Sequence, residues 1–302
     1  MNVSDWEGLP SVADTKVLNA LLARTRALLG ESFDELRRIF LRRRARVASP
    51  EKLHPLFDLF EATRDSFDTL AMTRPVVAGF QILWLHHALA VLEPWQGDPS
   101  WPDIASAIKT PREFDHAVIM LATARQLEDW GNEVELLRPG LGRTPDFRLT
   151  APGQEGLKVD VKTPPQLQRR GTPLDRQEAV SLVERCLDKA GTGPRGQLAP
   201  GGPALLVIGG CYMGQANREA FEHGAQDLVA SGRIPPHLFG VLCVTLGTRF
   251  QNLTLVEEGR LLRPATAAGG RLDATLSFGM AGNPGYSYNG RAGIRYLRRS
   301  AS

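Results

Sequence analysis

"TPDFRLTAPGQEGLKVDVKTPP", residues Thr144 to Pro165, decides how the rest of the chain is read. Both ends of it alternate in polarity. In "PDFRL", Phe147 and Leu149 fall on one face of an extended chain and Asp146 and Arg148 on the other. In "GLKVDVK", Leu157, Val159 and Val161 oppose Lys158, Asp160 and Lys162. Strand side chains point alternately to two faces, so each run is half apolar. The intervening "APGQEG" is rich in turn residues. The spacing predicts an antiparallel hairpin that sends both apolar faces to a core and lets Asp146, Asp160 and Lys162 converge on the far side. Two readings stay open at this point: a hairpin with a solvated charged face, or a site.

Chemistry gives the second reading its content. Two carboxylates a few ångströms apart repel, so either one is protonated or a cation sits between them. Mg²⁺ prefers carboxylate oxygens, keeps several waters and takes phosphate oxygens as further ligands. A lysine beside it can orient a water or stabilise negative charge growing on a phosphate.

Working outward, "PREFDHAVIMLATARQLEDW" (Pro111 to Trp130) reads as a helix capped by Thr110 and ended by Gly131, with Phe114, Ala117, Val118, Leu121 and Ala124 as its core stripe. "NEVELL" is a further strand before the hairpin. A helix from about Leu174 to Ala190 follows it, then the apolar strand "ALLVIGG", a helix near Asn217 to Ala230, and the strand "GVLCVTL". The order α-β-β-β-α-β-α-β predicts an α/β fold, a mixed sheet flanked by helices. The glycine-rich stretch from Ala265 to Arg299 is expected to add edge strands or to be partly disordered.

Upstream the period is helical throughout. "KVLNALLARTRALLG" stops at Gly30, and "SFDELRRIFLRRRARVA" opens on Ser32 with Glu35 three residues on, a capping-box pattern. "LHPLFDLFEATRDSFDTLAM" and "VVAGFQILWLHHALAVL" are two more helices. The loop from Pro94 to Pro102 marks the expected boundary. Residues 1–100 form an α-helical N-terminal region, and residues 101–302 an α/β domain with its core at about 111–246.

Pro145-Asp146 followed by Asp160-Val161-Lys162, set in that order of elements, resembles the PD-(D/E)XK nuclease superfamily. The resemblance covers roughly residues 111–210. It implies a restriction-endonuclease-like fold and Mg²⁺- or Mn²⁺-dependent cleavage of DNA, less often RNA. By position Asp146 and Asp160 match the metal ligands, Val161 would lend its backbone carbonyl, and Lys162 matches the lysine that activates the attacking water. Many members add an acid from the preceding helix, for which Glu113 and Asp115 are the candidates, one on each side of the core stripe. A polar residue on the following helix often completes such a site, and Gln177 is the candidate.

Composition limits the alternatives. The 302 residues carry a net charge of +3, 42% hydrophobic and 23% charged residues, values ordinary for a globular chain that buries a core. The three cysteines, Cys186, Cys211 and Cys243, form no CxxC pair, so buried thiols are expected rather than disulfides or a zinc site. The most apolar stretch, Phe80 to Leu92, is too short to span a bilayer. The N-terminal residues carry no apolar signal core, and a cytoplasmic location is expected. On the arginine-rich helix, Arg38, Arg42 and Arg46 fall at i, i+4 and i+8, a stripe able to hold a nucleic-acid backbone or simply to be solvated beside Asp34 and Glu35. "RYLRRS" near the end is a second basic cluster, read as a solvated tail. Adjacent His86 and His87 point apart on a helix and are expected to be buried or interface histidines. Trp84, Trp95, Trp101 and Trp130 are expected to anchor the core near the boundary.

The expectation is therefore a metal-dependent nuclease acting on DNA, in defence or DNA processing by fold analogy. The helical region would supply substrate grip, a partner surface or dimerisation. The alternative is a catalytically inactive protein of the same fold that binds nucleic acid or a protein.

Overall fold

The computed structural model describes residues 15–46, 53–70, 75–129, 132–137, 144–150, 156–169, 171–193, 196–200, 202–249, 254–262, 285–289 and 293–297. Helices come first: α1 (Thr15–Leu29), α2 (Ser32–Arg44), α3 (Pro55–Leu70), α4 (Pro75–Leu92), α5 (Trp101–Ile108) and α6 (Phe114–Asp129). Then follow β1 (Glu133–Leu136), β2 (Phe147–Thr150), β3 (Leu157–Lys162), α7 (Arg176–Ala190), β4 (Ala204–Cys211), α8 (Gln215–Ala230) and β5 (Leu238–Arg249). The strands β6 (Thr254–Leu262), β7 (Gly285–Asn289) and β8 (Gly293–Leu297) complete the order. The α-β-β-β-α-β-α-β reading holds from α6 to β5, and the glycine-rich stretch does contribute edge strands.

The strands form one mixed sheet in chain order. The expected hairpin is present, with Phe147 opposite Val159 and Leu149 opposite Leu157. β3 then runs parallel to β4, and β4 parallel to β5. Residues 151–155 of the turn lie outside the described residues.

Alternation sorts the sheet into two cores. Phe147, Leu149, Leu157, Val159 and Val161 are at most 1% exposed and pack with Leu205, Val207, α6 and the N-terminal helices. Leu206, Ile208, Val241 and Cys243 face the other way, into a second core with α7 and α8. Strands covered on both sides need apolar residues at every position, which explains the continuous runs in β4 and β5. Leu56, Phe57, Leu85 and Leu89 of the helical region belong to the first core. Helices continue past residue 100 through α5 and α6, the first strand starts only at Glu133, and the core runs through the expected boundary. Trp95 is buried and Trp84 and Trp101 pack against this core, as expected of anchors, while Trp130 lies outside the described residues.

Local signals decide several ends. Gly30 leaves α1 at φ 56°, a conformation that costs an L side chain but not glycine. Asp175 and Glu178 close a capping box on α7, so that helix starts at Arg176 rather than Leu174. The Ser32–Glu35 box does not form: α2 has no side-chain cap, and Glu35 pairs with Arg38 instead. The expected Thr110 cap does not form: α6 starts at Phe114 rather than Pro111, the Thr110 hydroxyl donates to the Ser106 carbonyl, and its carbonyl accepts from Glu113 and Phe114 in the turn before the helix.

Residues 164–174, which follow β3, are stapled to three elements. Gln168 donates to the Pro164 and Gly209 carbonyls and accepts from the Cys211 N–H. Asn217 of α8, 8% exposed, donates to the Gln166 and Thr172 carbonyls and accepts from the Leu174 N–H. Arg169 reaches Asp58 of α3 and Gln81 of α4. Close approach explains the glycine pair at the end of β4. A Cβ on Gly209 would sit 2.3 Å from Ile119 Cγ2, and one on Gly210 would sit 2.3 Å from the Leu167 carbonyl oxygen.

Asn217→Ala removes three hydrogen bonds at once and leaves two partly buried carbonyls and an N–H without their partner. We expect a loss of about 1–3 kcal/mol in urea unfolding, with faster amide exchange at Leu174.

Candidate active site

The hairpin does bring Asp146, Asp160 and Lys162 together. Asp146 stands just before β2 and is fixed at both carboxylate oxygens. Oδ2 accepts the Val161 N–H at 2.6 Å, and Oδ1 lies 3.2 Å from His116 Nε2. Asp160 is fully buried, and its Oδ2 is 2.6 Å from the Lys162 ammonium. Oδ1 of Asp160 has no hydrogen-bond donor among the described residues, and Lys162 is the donor to Oδ2. Lys162 Nζ is also 3.4 Å from Gln197 Oε1, and the Gln197 amide donates to the Thr144 carbonyl at 2.7 Å. Gln197 thereby ties the lysine back to the strand that carries Asp146.

The face that holds Asp160 is not solvated. Alternation separates it correctly from Val159 and Val161, but α7 and α8 cover that face too. Burial pushes the Asp160 carboxyl up to about 6; the Lys162 charge opposes the rise and the Asp146 charge adds to it. His116 is raised as well, against its own burial. Burial alone would lower its pKa, but the hydrogen bond and charge of Asp146, helped by Glu113, outweigh burial and raise it, with Lys162 opposing.

The helix residue at the site is His116, which the sequence pattern did not single out. Glu113, one turn before it, is exposed, and its charge reaches His116. Asp115 turns toward the end of β4. Its charge acts on the buried Cys211 thiol, and burial raises its own carboxyl to about 7. Seeking an acid on α6 overlooked a histidine beside the core stripe. Its signal was helix phase: Glu113 and His116 are three apart and share a face. Gln177 lies in the first helical turn of α7 and lines an open cleft with Gln166, Thr172, Pro173 and Leu174. Val161 meets Asp146 through its N–H.

The arginine stripe divides. Arg38 is paired with Glu35, and Arg44 with Asp65. Arg42 is exposed on α2, which ends at Arg44, so Arg46 sits on the turn beyond it. Of the second basic cluster, Arg298 and Arg299 lie outside the described residues. His86 bonds Arg24 and His87 bonds the Tyr212 hydroxyl, both within the protein fabric as expected. The three cysteines are free and buried. Among the described residues, no helix is long and apolar enough to cross a membrane.

A metal fits the donor set. A fully buried carboxylate with one oxygen lacking a donor is costly, and a second carboxylate nearby makes a cation the natural complement. The available side-chain donors are oxygens, which suit Mg²⁺ or Mn²⁺. Among the described residues no cluster of three or more His, Cys, Asp or Glu side chains is disposed to hold a metal ion. Mg²⁺ needs only one or two carboxylates when waters and substrate phosphate fill the other positions.

Comparison with known protein families, with curated proteins and with solved structures finds no match for this chain. Its own geometry is therefore the basis for reading the site.

Proposed function

We propose that the protein is a metal-dependent nuclease that hydrolyses phosphodiester bonds in DNA, on a restriction-endonuclease-like core running from α6 to β5. The observation that carries this reading is Asp160, a buried carboxylate with Oδ1 unpartnered among the described residues, held between Lys162 and the charge of Asp146. The element order from α6 to β4 supports it as well.

Asp146, Asp160 and the Val161 carbonyl would hold the ion. When bound, Mg²⁺ or Mn²⁺ supplies a Lewis acid for the phosphate and a water of lowered pKa. Lys162 orients that water and stabilises negative charge developing on the phosphate. Gln197 sets the position of the ammonium. His116 and the Val161 N–H fix the rotamer of Asp146, so that it stays aimed as substrate arrives.

The test is cleavage of plasmid, linear duplex and single-stranded DNA with Mg²⁺, Mn²⁺ or EDTA, beside Lys162→Ala. We expect metal-dependent cutting that falls by about 10²–10⁴-fold in the variant. Folded wild-type protein that cuts nothing under any of these conditions overturns the reading.

One observation favours a second reading. Lys162 already neutralises Asp160, so the same atoms also describe a closed ion pair in an inactive protein of this fold that binds nucleic acid. Under that reading Asp160→Ala leaves binding intact, and replacing Arg38, Arg42 and Arg46 removes it.

A further inference from the structure

Between α7 and the segment that precedes it lies a cleft of about 300 Å³ that the chemistry above does not use. Gln166 and Thr172 line one wall, and Gln177, Glu178, Ser181 and Arg185 of α7 line the other. Three of these, Gln177, Ser181 and Arg185, recur every four residues and so form a stripe along one helix face. The stripe is about 12 Å long at 1.5 Å per residue.

Four observations give the cleft a ligand class. Its loop wall is held in place, because the buried Asn217 bonds Gln166, Thr172 and Leu174 from behind. Arg185 precedes the buried Cys186, whose thiol the charges of Lys189, Lys162, Arg185 and Asp160 all reach. Arg185 is exposed and has no ion-pair partner among the described residues, so its guanidinium is available to an anion. The opposite end is acidic and amide-rich: Glu178 gives one oxygen to the Asp175 N–H, and Gln166 and Gln177 stand beside it. An anion suits the first end, and a neutral group with donors and acceptors suits the second.

We propose that this cleft binds one nucleotide of a single strand of the substrate, with its phosphate on Arg185 and its base between Gln166, Gln177 and Glu178. This rests on the hydrolase reading for its choice of polyanion. A guanidinium grips a phosphate with two parallel N–H donors, and the amide side chains can adapt to different bases. The volume is at the small end of ligand pockets and suits one nucleotide rather than a duplex.

The experiment is fluorescence anisotropy of a fluorescein-labelled, mixed-sequence, single-stranded oligodeoxynucleotide, titrated in EDTA so that no strand is cut. Ser181→Trp fills the cleft from a half-buried position, and Arg185→Ala removes the phosphate contact. Each is expected to weaken binding by about tenfold or more, the scale of one lost charge-assisted hydrogen bond. Arg185→Ala should also lower the salt dependence of binding by about 0.7, the single-strand value for one phosphate. Unchanged affinity in both variants overturns the proposal, and so does the absence of any binding by folded wild-type protein. Binding that both variants weaken, with no cleavage under any metal, keeps the cleft and sinks the hydrolase reading. Cleavage with affinity indifferent to both variants does the reverse.

Discussion

Asp160→Asn is expected to abolish cleavage and, in EDTA, to make the protein more stable. The first half follows from the metal-ligand role proposed for it. The second follows from burial. Asp160 is fully buried, and desolvation holds its carboxyl at about 6, above the ordinary value of 3.8. An acid whose pKa rises on folding binds its proton more tightly in the folded state. Its contribution is therefore fully present below 3.8 and is lost as pH rises through 6. At neutral pH the charged form costs about 3 kcal/mol by that shift. Asparagine removes the charge but keeps two polar atoms to be satisfied, so a gain of about 1–2 kcal/mol is expected. Lys162 tolerates the loss of its partner because it is 21% exposed and also reaches Gln197. The measurement is thermal unfolding at pH 5 and pH 7, with EDTA and with Mg²⁺. Wild type should be the more metal-stabilised protein, by about 2.7 kcal/mol at a hundredfold excess of metal over its Kd, and the variant should not respond. A variant less stable than wild type at pH 7 in EDTA would show that the Lys162–Asp160 pair outweighs desolvation.

The sequence showed the hairpin, and the structure shows why it could. Phe147, Leu149, Leu157, Val159 and Val161 alternate with polar residues because their face packs on α6 and the helical region. The register follows from that pattern, since a slip by one residue would turn every apolar side chain outward. The same alternation could not show that the polar face is also covered. That information lay in β4 and β5, whose unbroken apolar runs require helices on both sides. The convergence of Asp146, Asp160 and Lys162 was legible because strand geometry alone sets it. His116 was missed because the acid sought on α6 has no necessary link to helix phase, and the phase is set by long-range packing such as Ile119 against Gly209. The staples around residues 164–174 were not legible at all. Gln168 and Asn217 join partners 41 to 51 residues apart, and Arg169 reaches 88 residues back to Gln81. Nothing local in a glutamine, asparagine or arginine announces such a contact.

Arg169→Leu should cause the largest loss of stability among these changes, about 3–5 kcal/mol, because it strands a buried charge. Arg169 pairs with Asp58 and donates to Gln81 Oε1 at 3.0 Å, and its guanidinium lies 5.9 Å from the centre of the Trp84 ring. The side chains of Arg169 and Asp58 are only 15% and 7% exposed. Trp84 in turn stacks on Tyr212 at 5.2 Å, and Tyr212 leaves β4 at φ 59° with its hydroxyl donating to the Trp84 carbonyl. One cation therefore joins the segment after Lys162 to α3 and α4, and through Trp84 to the end of β4. Losing it leaves the Asp58 carboxylate with its desolvation and without its main countercharge. Replacing both partners should restore most of the loss, because two leucines fill the space without stranding a charge. Urea unfolding of Arg169→Leu, Asp58→Leu and the double variant gives the coupling directly. Amide exchange over residues 164–174 then separates a local effect from a global one. If the double variant folds well yet loses cleavage, the helical region acts on the site through this contact by positioning the segment behind Lys162. If it folds well and cuts normally, the pair holds the two parts together and the stapling by Gln168 and Asn217 is enough for the chemistry.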